Sequence, residues 1–161
     1  MNCKRDIIKH QLVSEMTITL REAEKNEINW INLKYQEVNF IESNFDNEFI
    51  VIAECDAKPC GLGRLIIIDN DNLELSGIYV FNDYRGLNIS HEIIKFLLEN
   101  HTFNQNIIWC LPFTHLKNNY FRVGFSEYKI KKTNIPMKIL KKYNWCSTNY
   151  KSKVLLLHKR K

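Results

Sequence analysis

The chain has 161 residues, 45% hydrophobic, 12% aromatic and 25% charged, enough for one buried core, short for two ordinary domains and too apolar for a disordered chain. No apolar run approaches the roughly 20 residues of a membrane span, and the first residues carry no signal-peptide core, so a folded cytoplasmic domain is expected. The net charge of +5 is uneven: residues 129–161 hold ten lysines, Arg160 and no acid, and residues 1–128 carry the balance of −6. Residues 1–15 read as an N-terminal extension to a single domain over 16–161. Thr17-Ile18-Thr19-Leu20 alternates as a first strand, and residues 22–40 favour a helix with Ile28, Ile31, Tyr35 and Val38 at helical spacing. Strands over 49–53 and 62–68 flank the turn Asp56-Ala57-Lys58-Pro59 as a hairpin. A polar turn at Asp69-Asn70-Asp71-Asn72 leads into a strand over 73–80. A helix over 87–99 follows, with Ile89, Ile93, Ile94, Leu97 and Leu98 on its apolar face.

Next come a buried strand over 106–111, a short helix with Leu116, Tyr120 and Val123 on one stripe, and Gly124 as its left-handed stop. A strand over 125–130 follows. Asn134 as cap and Pro136 in the first turn predict a helix carrying Ile135, Ile139, Leu140 and Tyr143, and residues 153–158 form an apolar last strand. The order is that of a mixed α/β domain. Its five cysteines, Cys3, Cys55, Cys60, Cys110 and Cys146, are odd in number and lack close C-x-x-C spacing. Neither a disulfide framework nor a metal site is expected.

One strand-turn-helix carries chemistry. In Arg85-Gly86-Leu87-Asn88-Ile89-Ser90 a helix begins a few residues after a strand ends at Val80. Its first-turn amides have no partner inside the helix, and with the positive end of the helix dipole and Arg85 they make an anion site suited to a pyrophosphate. The same residues also suit an ordinary helix start with a solvated arginine.

The wider pattern resembles the GNAT superfamily of N-acetyltransferases. That family has a signature Arg/Gln-x-x-Gly-x-Gly/Ala opening a helix, and Arg85 stands at its first position. Upstream, Glu74-Leu75-Ser76-Gly77-Ile78-Tyr79-Val80 is similar to the family's Glu-Leu-x-x-Leu-Tyr-Val strand. Downstream, Tyr120-Phe121-Arg122-Val123-Gly124-Phe125 is similar to its Tyr-x-x-x-Gly-Phe. Asn88 and Ser90 replace the family's two small residues, and Asn82 its common proline. Asparagine tolerates unusual backbone angles and serine is small, so the loop is expected to form.

The resemblance implies a GNAT-like fold: a twisted, mostly antiparallel sheet of about seven strands, splayed at the cofactor site, with helices on both faces. It implies acetyl-CoA as co-substrate and direct attack of a primary amine on the thioester. Backbone groups of Ile78, Tyr79 and Val80 would pair with the pantetheine arm like an added strand. Arg85, Gly86, Leu87, Asn88, Ile89 and Ser90 would hold the pyrophosphate. Tyr120, a phenol with a reference pKa of about 10, would protonate the departing thiolate, or else simply complete the apolar stripe. Glu74 is the candidate base, directly or through water. Strict alternation would put Leu73, Leu75 and Tyr79 on one face and Glu74, Ser76, Ile78 and Val80 on the other.

His91 and His115 are assigned no catalytic role. The insertion over 131–150, with Tyr143, Trp145 and Tyr150, suits a lid or a homodimer contact as well as simple packing anchors. Glu22, Glu24, Glu27 and Glu37 would favour a cationic acceptor, although an exposed helix face reads the same way. The competing reading is a GNAT-fold interaction module that binds an acidic partner or nucleic acid through its basic C-terminal third. It ranks second because the lysines are scattered and no nucleic-acid motif is present.

Overall fold

A computed structural model describes residues 16–129 and 134–161. The expected N-terminal extension over 1–15 and Cys3 fall outside these residues, as do residues 130–133. The described residues form seven strands: β1 (Ile18–Glu22), β2 (Glu48–Cys55), β3 (Lys58–Ile67), β4 (Asn72–Val80), β5 (Ile107–Cys110), β6 (Ser126–Glu127) and β7 (Leu157–Arg160). Four α-helices accompany them: α1 (Ile28–Gln36), α2 (Ile89–Asn100), α3 (Lys117–Phe121) and α4 (Met137–Asn149). The strands make one sheet in the order β1-β2-β3-β4-β5-β7-β6. Every neighbouring pair is antiparallel except β4 and β5.

Local chemistry explains where the elements start and stop. The hairpin between β2 and β3 turns on Asp56 and Ala57, both at positive φ (49° and 62°), the backbone of a tight two-residue turn. Lys58 and Pro59 therefore belong to β3 and not to the predicted turn, and Pro59 sits at a register shift where its missing N–H is tolerated. The helix expected from residue 22 begins only at Ile28. Before it, Lys25–Glu27 forms a 3-10 turn closed by a capping box between Glu24 and Glu27. At the far end, α4 starts at Met137 with Pro136 as its cap, so Asn134 caps nothing and Ile135 lies outside the helix. Of the strand predicted over 125–130, the described residues 125–129 keep only β6, an edge strand that pairs with β7. Pairing with β5 likewise shifts the last strand onward to Leu157–Arg160, leaving Val154 in a single bridge with Phe113.

Alternation along the strands divides the core. Val51, Ala53, Leu73, Leu75, Ile108 and Cys110 face α2, whose Ile89, Ile93, Ile94 and Leu97 are buried against them. On the opposite face Ile50, Ile52 and Leu62 pack with Ile31 and Tyr35 of α1, and Trp109 and Leu156 pack with Ile139 of α4. Helices thus cover both faces.

Strict alternation fails at one point in β4. Ser76 pairs with Arg64 and Tyr79 with Leu62, so three steps along β4 span two along β3. The extra residue is a β-bulge around Gly77, which takes φ +64°. Beyond it the faces exchange: Ile78 and Val80 join Leu73 and Leu75 on the α2 side, while Tyr79 turns to the α1 side. The face assignment expected for Ile78, Tyr79 and Val80 relative to Leu73 is therefore corrected. A glycine inside a strand was the available signal.

The bulge is held from one side. The buried Tyr35 hydroxyl donates to the Gly77 carbonyl at 2.9 Å. The Arg64 guanidinium lies 4.7 Å over the Tyr35 ring, donates to the Ile41 carbonyl at 2.9 Å and pairs with the buried Glu48 at 3.5 Å.

Candidate active site

β4 and β5 pair only from Asn72–Ile107 to Leu75–Cys110, yet β4 runs on to Val80 beside β3. Past Leu75 and Cys110 the two strands part, and among the described residues no strand lies beside the edge of β4 from Ser76 to Val80. A cleft of about 380 Å³ opens there. Ile78, Tyr79 and Val80 form one wall, the loop and first turn of α2 the second, and Leu116, Asn119 and Tyr120 the third.

The sequence thus located most of the cleft. Arg85, Gly86, Asn88, Ile89 and Ser90 line it together with the three β4 residues and Tyr120. Leu87 does not, because its side chain packs against the core under α2. Sequence reasoning missed Val38 and Phe40, brought in by the chain that follows α1, and Asn119. Nothing local in those residues marks them, since they reach the cleft only through the tertiary fold.

Between β4 and α2 the chain makes a 3-10 turn at Asn82–Tyr84. Gly86 then takes φ +84°, and a side chain added there would meet nothing within 4 Å. Asn88 is the N-cap of α2 at φ 60°, ψ 16°, with no side-chain cap bond. A left-handed residue at the family's glycine position explains why asparagine is accepted: its cost there is lower than for most side chains. Asn88→Ala should lower stability by about 1 kcal/mol and Asn88→Gly should not, as read from urea midpoints.

The free amides of the first turn of α2 border the cleft, and the exposed Arg85 makes no ion pair among the described residues. This end of the cleft is therefore polar and cationic. At the other end the Tyr120 side chain is buried in the same core cluster as Cys110. Burial above all, then Cys110, pushes the Tyr120 phenol well above its ordinary value, so it stays protonated. Burial likewise raises the Cys110 thiol; Glu74 adds to the effect, while Tyr120 and Lys142 oppose it.

Glu74 does not line the cleft. It is buried on the opposite face of β4, where the Lys142 ammonium donates to its Oε1 and reaches Ser76 Oγ at 3.4 Å. Glu74 is thus not at an exposed strand start, because α4 covers it. Of the acids considered for a cationic acceptor, Glu27 is bound to Arg21 at 2.8 Å, away from the cleft. Glu37 pairs with Lys34 at 2.7 Å and accepts a hydrogen bond from Tyr79 at 3.2 Å, so it alone adjoins a cleft residue. In the insertion, Trp145 is exposed while Tyr143 packs beside Trp109. Cys55, Cys60, Cys110 and Cys146 are free and buried.

The model of the acetyltransferase (GNAT) family matches residues 13–125. No curated protein matches the chain. Among solved structures, a Mycobacterium tuberculosis protein in complex with CoA and NLQ is similar at TM-score 0.67 and 16% identity, over 89% of this chain and 99% of that one. An Elizabethkingia anophelis GNAT family acetyltransferase with acetyl-CoA bound gives 0.59 and 14%, over 89% and 98%. N-acetylglutamate synthase from Neisseria gonorrhoeae, complexed with coenzyme A and N-acetyl-glutamate, gives 0.63 and 15% over 89% of this chain. The chain spans only 35% of that protein. At these identities the likeness is one of fold. Among the described residues, no helix is long and apolar enough to cross a membrane.

Proposed function

The chain belongs to the GNAT family of acetyltransferases, and on that premise we propose that it is an N-acetyltransferase moving the acetyl group of acetyl-CoA to a primary amine of a small molecule, peptide or protein. The reading includes a single acyltransferase domain over residues 16–161. The observation that carries it is the cleft itself: an unpaired strand edge, a helix N-terminus with Arg85, and a buried phenol meet around one space. Two of the similar structures are described with CoA and one with acetyl-CoA.

The residues present fit the co-substrate. The free edge at Ile78, Tyr79 and Val80 suits the amides of the pantetheine arm, which can add to it as a strand would. Arg85, Gly86, Leu87, Asn88, Ile89 and Ser90 supply backbone donors and a cation for the pyrophosphate. When bound, acetyl-CoA supplies a thioester carbon open to nucleophiles. Tyr120, kept protonated by burial, then holds the proton that the departing sulfur needs. Glu74 is the proposed base, and its burial on the far side of the splay means that an amine must come from the α4 face to reach it.

A catalytically lost interaction module is the weaker reading, because Asn88, which replaces the glycine of the signature, sits at the helix start with the backbone conformation a glycine would take. Thermal unfolding with and without coenzyme A tests the proposal, since a ligand bound only by the folded state raises Tm. Arg85→Ala should weaken that binding by roughly 10- to 100-fold, the worth of one charge-assisted hydrogen bond, without lowering the ligand-free Tm. No rise in Tm at millimolar coenzyme A would refute the reading.

A further inference from the structure

Lys142 lies on α4, beyond the segment that the family model matches. Its ammonium is held by Glu74 and lies 3.4 Å from Ser76 Oγ. The Lys142 side chain is 31% exposed and that of Glu74 only 4%. The pair occupies one face of the sheet at the point where β4 and β5 begin to part, since Glu74 and Trp109 form the last-but-one matched pair before the splay. Cys110, next to Trp109 on β5, turns to the other face, into the core that holds Tyr120 and α2. A primary amine of the protein itself thus stands at the proposed base and beside Ser76, the first residue of β4 past the last pair with β5.

We propose that Lys142 is an intramolecular acceptor and that the protein acetylates it; the inference rests on the acetyl-CoA reading above. Glu74 takes one proton from the Lys142 ammonium. The freed Nζ forms a bond to the thioester carbon, and the carbon–sulfur bond breaks. The second nitrogen proton replaces the one that Tyr120 gives to sulfur. The products are Nζ-acetyl-lysine, coenzyme A as the thiol, and one proton left for solvent. Tethering favours this over an amine from solution, because the acceptor is held beside its base at no translational cost. Once acetylated, Lys142 has lost its charge, and Glu74 is buried without a counter-ion.

Peptide mapping by mass spectrometry after incubation with acetyl-CoA tests this. Lys142 should gain acetyl roughly 10-fold or more faster than Lys138 and Lys141, its exposed neighbours on α4. Its rate should be independent of protein dilution, as an intramolecular step requires, and Tyr120→Phe should slow it by roughly 10-fold or more. Lys142→Arg, which keeps the ion pair to Glu74, should leave that peptide unmodified while retaining the rise in Tm with coenzyme A. If Lys142 reacts no faster than Lys138 and Lys141, or at a rate that falls on dilution, in protein whose Tm still rises with coenzyme A, the inference fails alone. If coenzyme A leaves Tm unchanged, the acetyl-CoA reading fails and takes the inference with it.

Discussion

Tyr120→Phe should lower turnover with a primary amine by roughly 100-fold, the lower end of what one general acid contributes, while the rise in Tm with coenzyme A stays as in the parent protein. The physical case begins with burial. The phenol sits on α3 at the closed end of the cleft, where desolvation holds it well above its ordinary value and keeps its proton in place. A thiolate leaving in the same low-dielectric space is the base for which such a donor is matched. Removing one oxygen leaves the ring packed against Phe125, edge to face at 6.0 Å, so the fold should survive. The buried Cys110 thiol in the same cluster tolerates apolar surroundings. Because the phenol pKa is raised, Tyr120 should contribute no alkaline fall in rate below pH 10. Turnover within a factor of about 2 of the parent would remove Tyr120 as the acid and leave it a packing residue.

The largest expected loss of stability belongs to Gly77→Ala, at roughly 3 kcal/mol or about 10 °C in Tm. Two costs add. A side chain at φ +64° is strained wherever it points. Here it points into Tyr35, whose Oη would lie 2.6 Å away and whose Cζ would lie 3.0 Å away. Tyr35 is fully buried and its hydroxyl is bonded to the carbonyl of Gly77 itself, so it has nowhere to move. Tyr35→Phe removes the closest of these contacts, and the cost of Gly77→Ala should fall by about 1 kcal/mol in that background. Equal costs in both backgrounds would mean that backbone strain alone accounts for the loss. Activity should fall with stability, because the bulge decides which side chains of β4 face the cleft.

How legible each part was depended on how far its cause lay along the chain. The loop from Arg85 to Ser90 could be read because its parts are adjacent: a strand, a turn and an apolar helix face lie within one stretch of residues. Asn88 even carried its own signal, as asparagine is a residue type that accepts the left-handed conformation found there. Element ends were less legible. Asn134-Ile135-Pro136 looks like a capped helix start, but the helix waits until Met137. The last strand is displaced because its partner, β5, fixes the register from outside. Gly77 was visible as a glycine within a strand pattern, yet the exchange of faces that follows it depends on pairing with β3.

The chain's own residues, read in order, determined a mixed fold around a strand-turn-helix, a helix start at α2 with Arg85 just before it, and a tyrosine downstream of it. Those features rest on hydrophobic period and backbone preference, which act over a few residues. Only the tertiary structure decided that Tyr120 meets the opening between β4 and β5, that Val38 and Phe40 border it, and that Glu74 is buried under α4. The Lys142–Glu74 pair joins residues 68 apart in the chain. No local preference encodes such a pair, because it forms only when the sheet between them has closed.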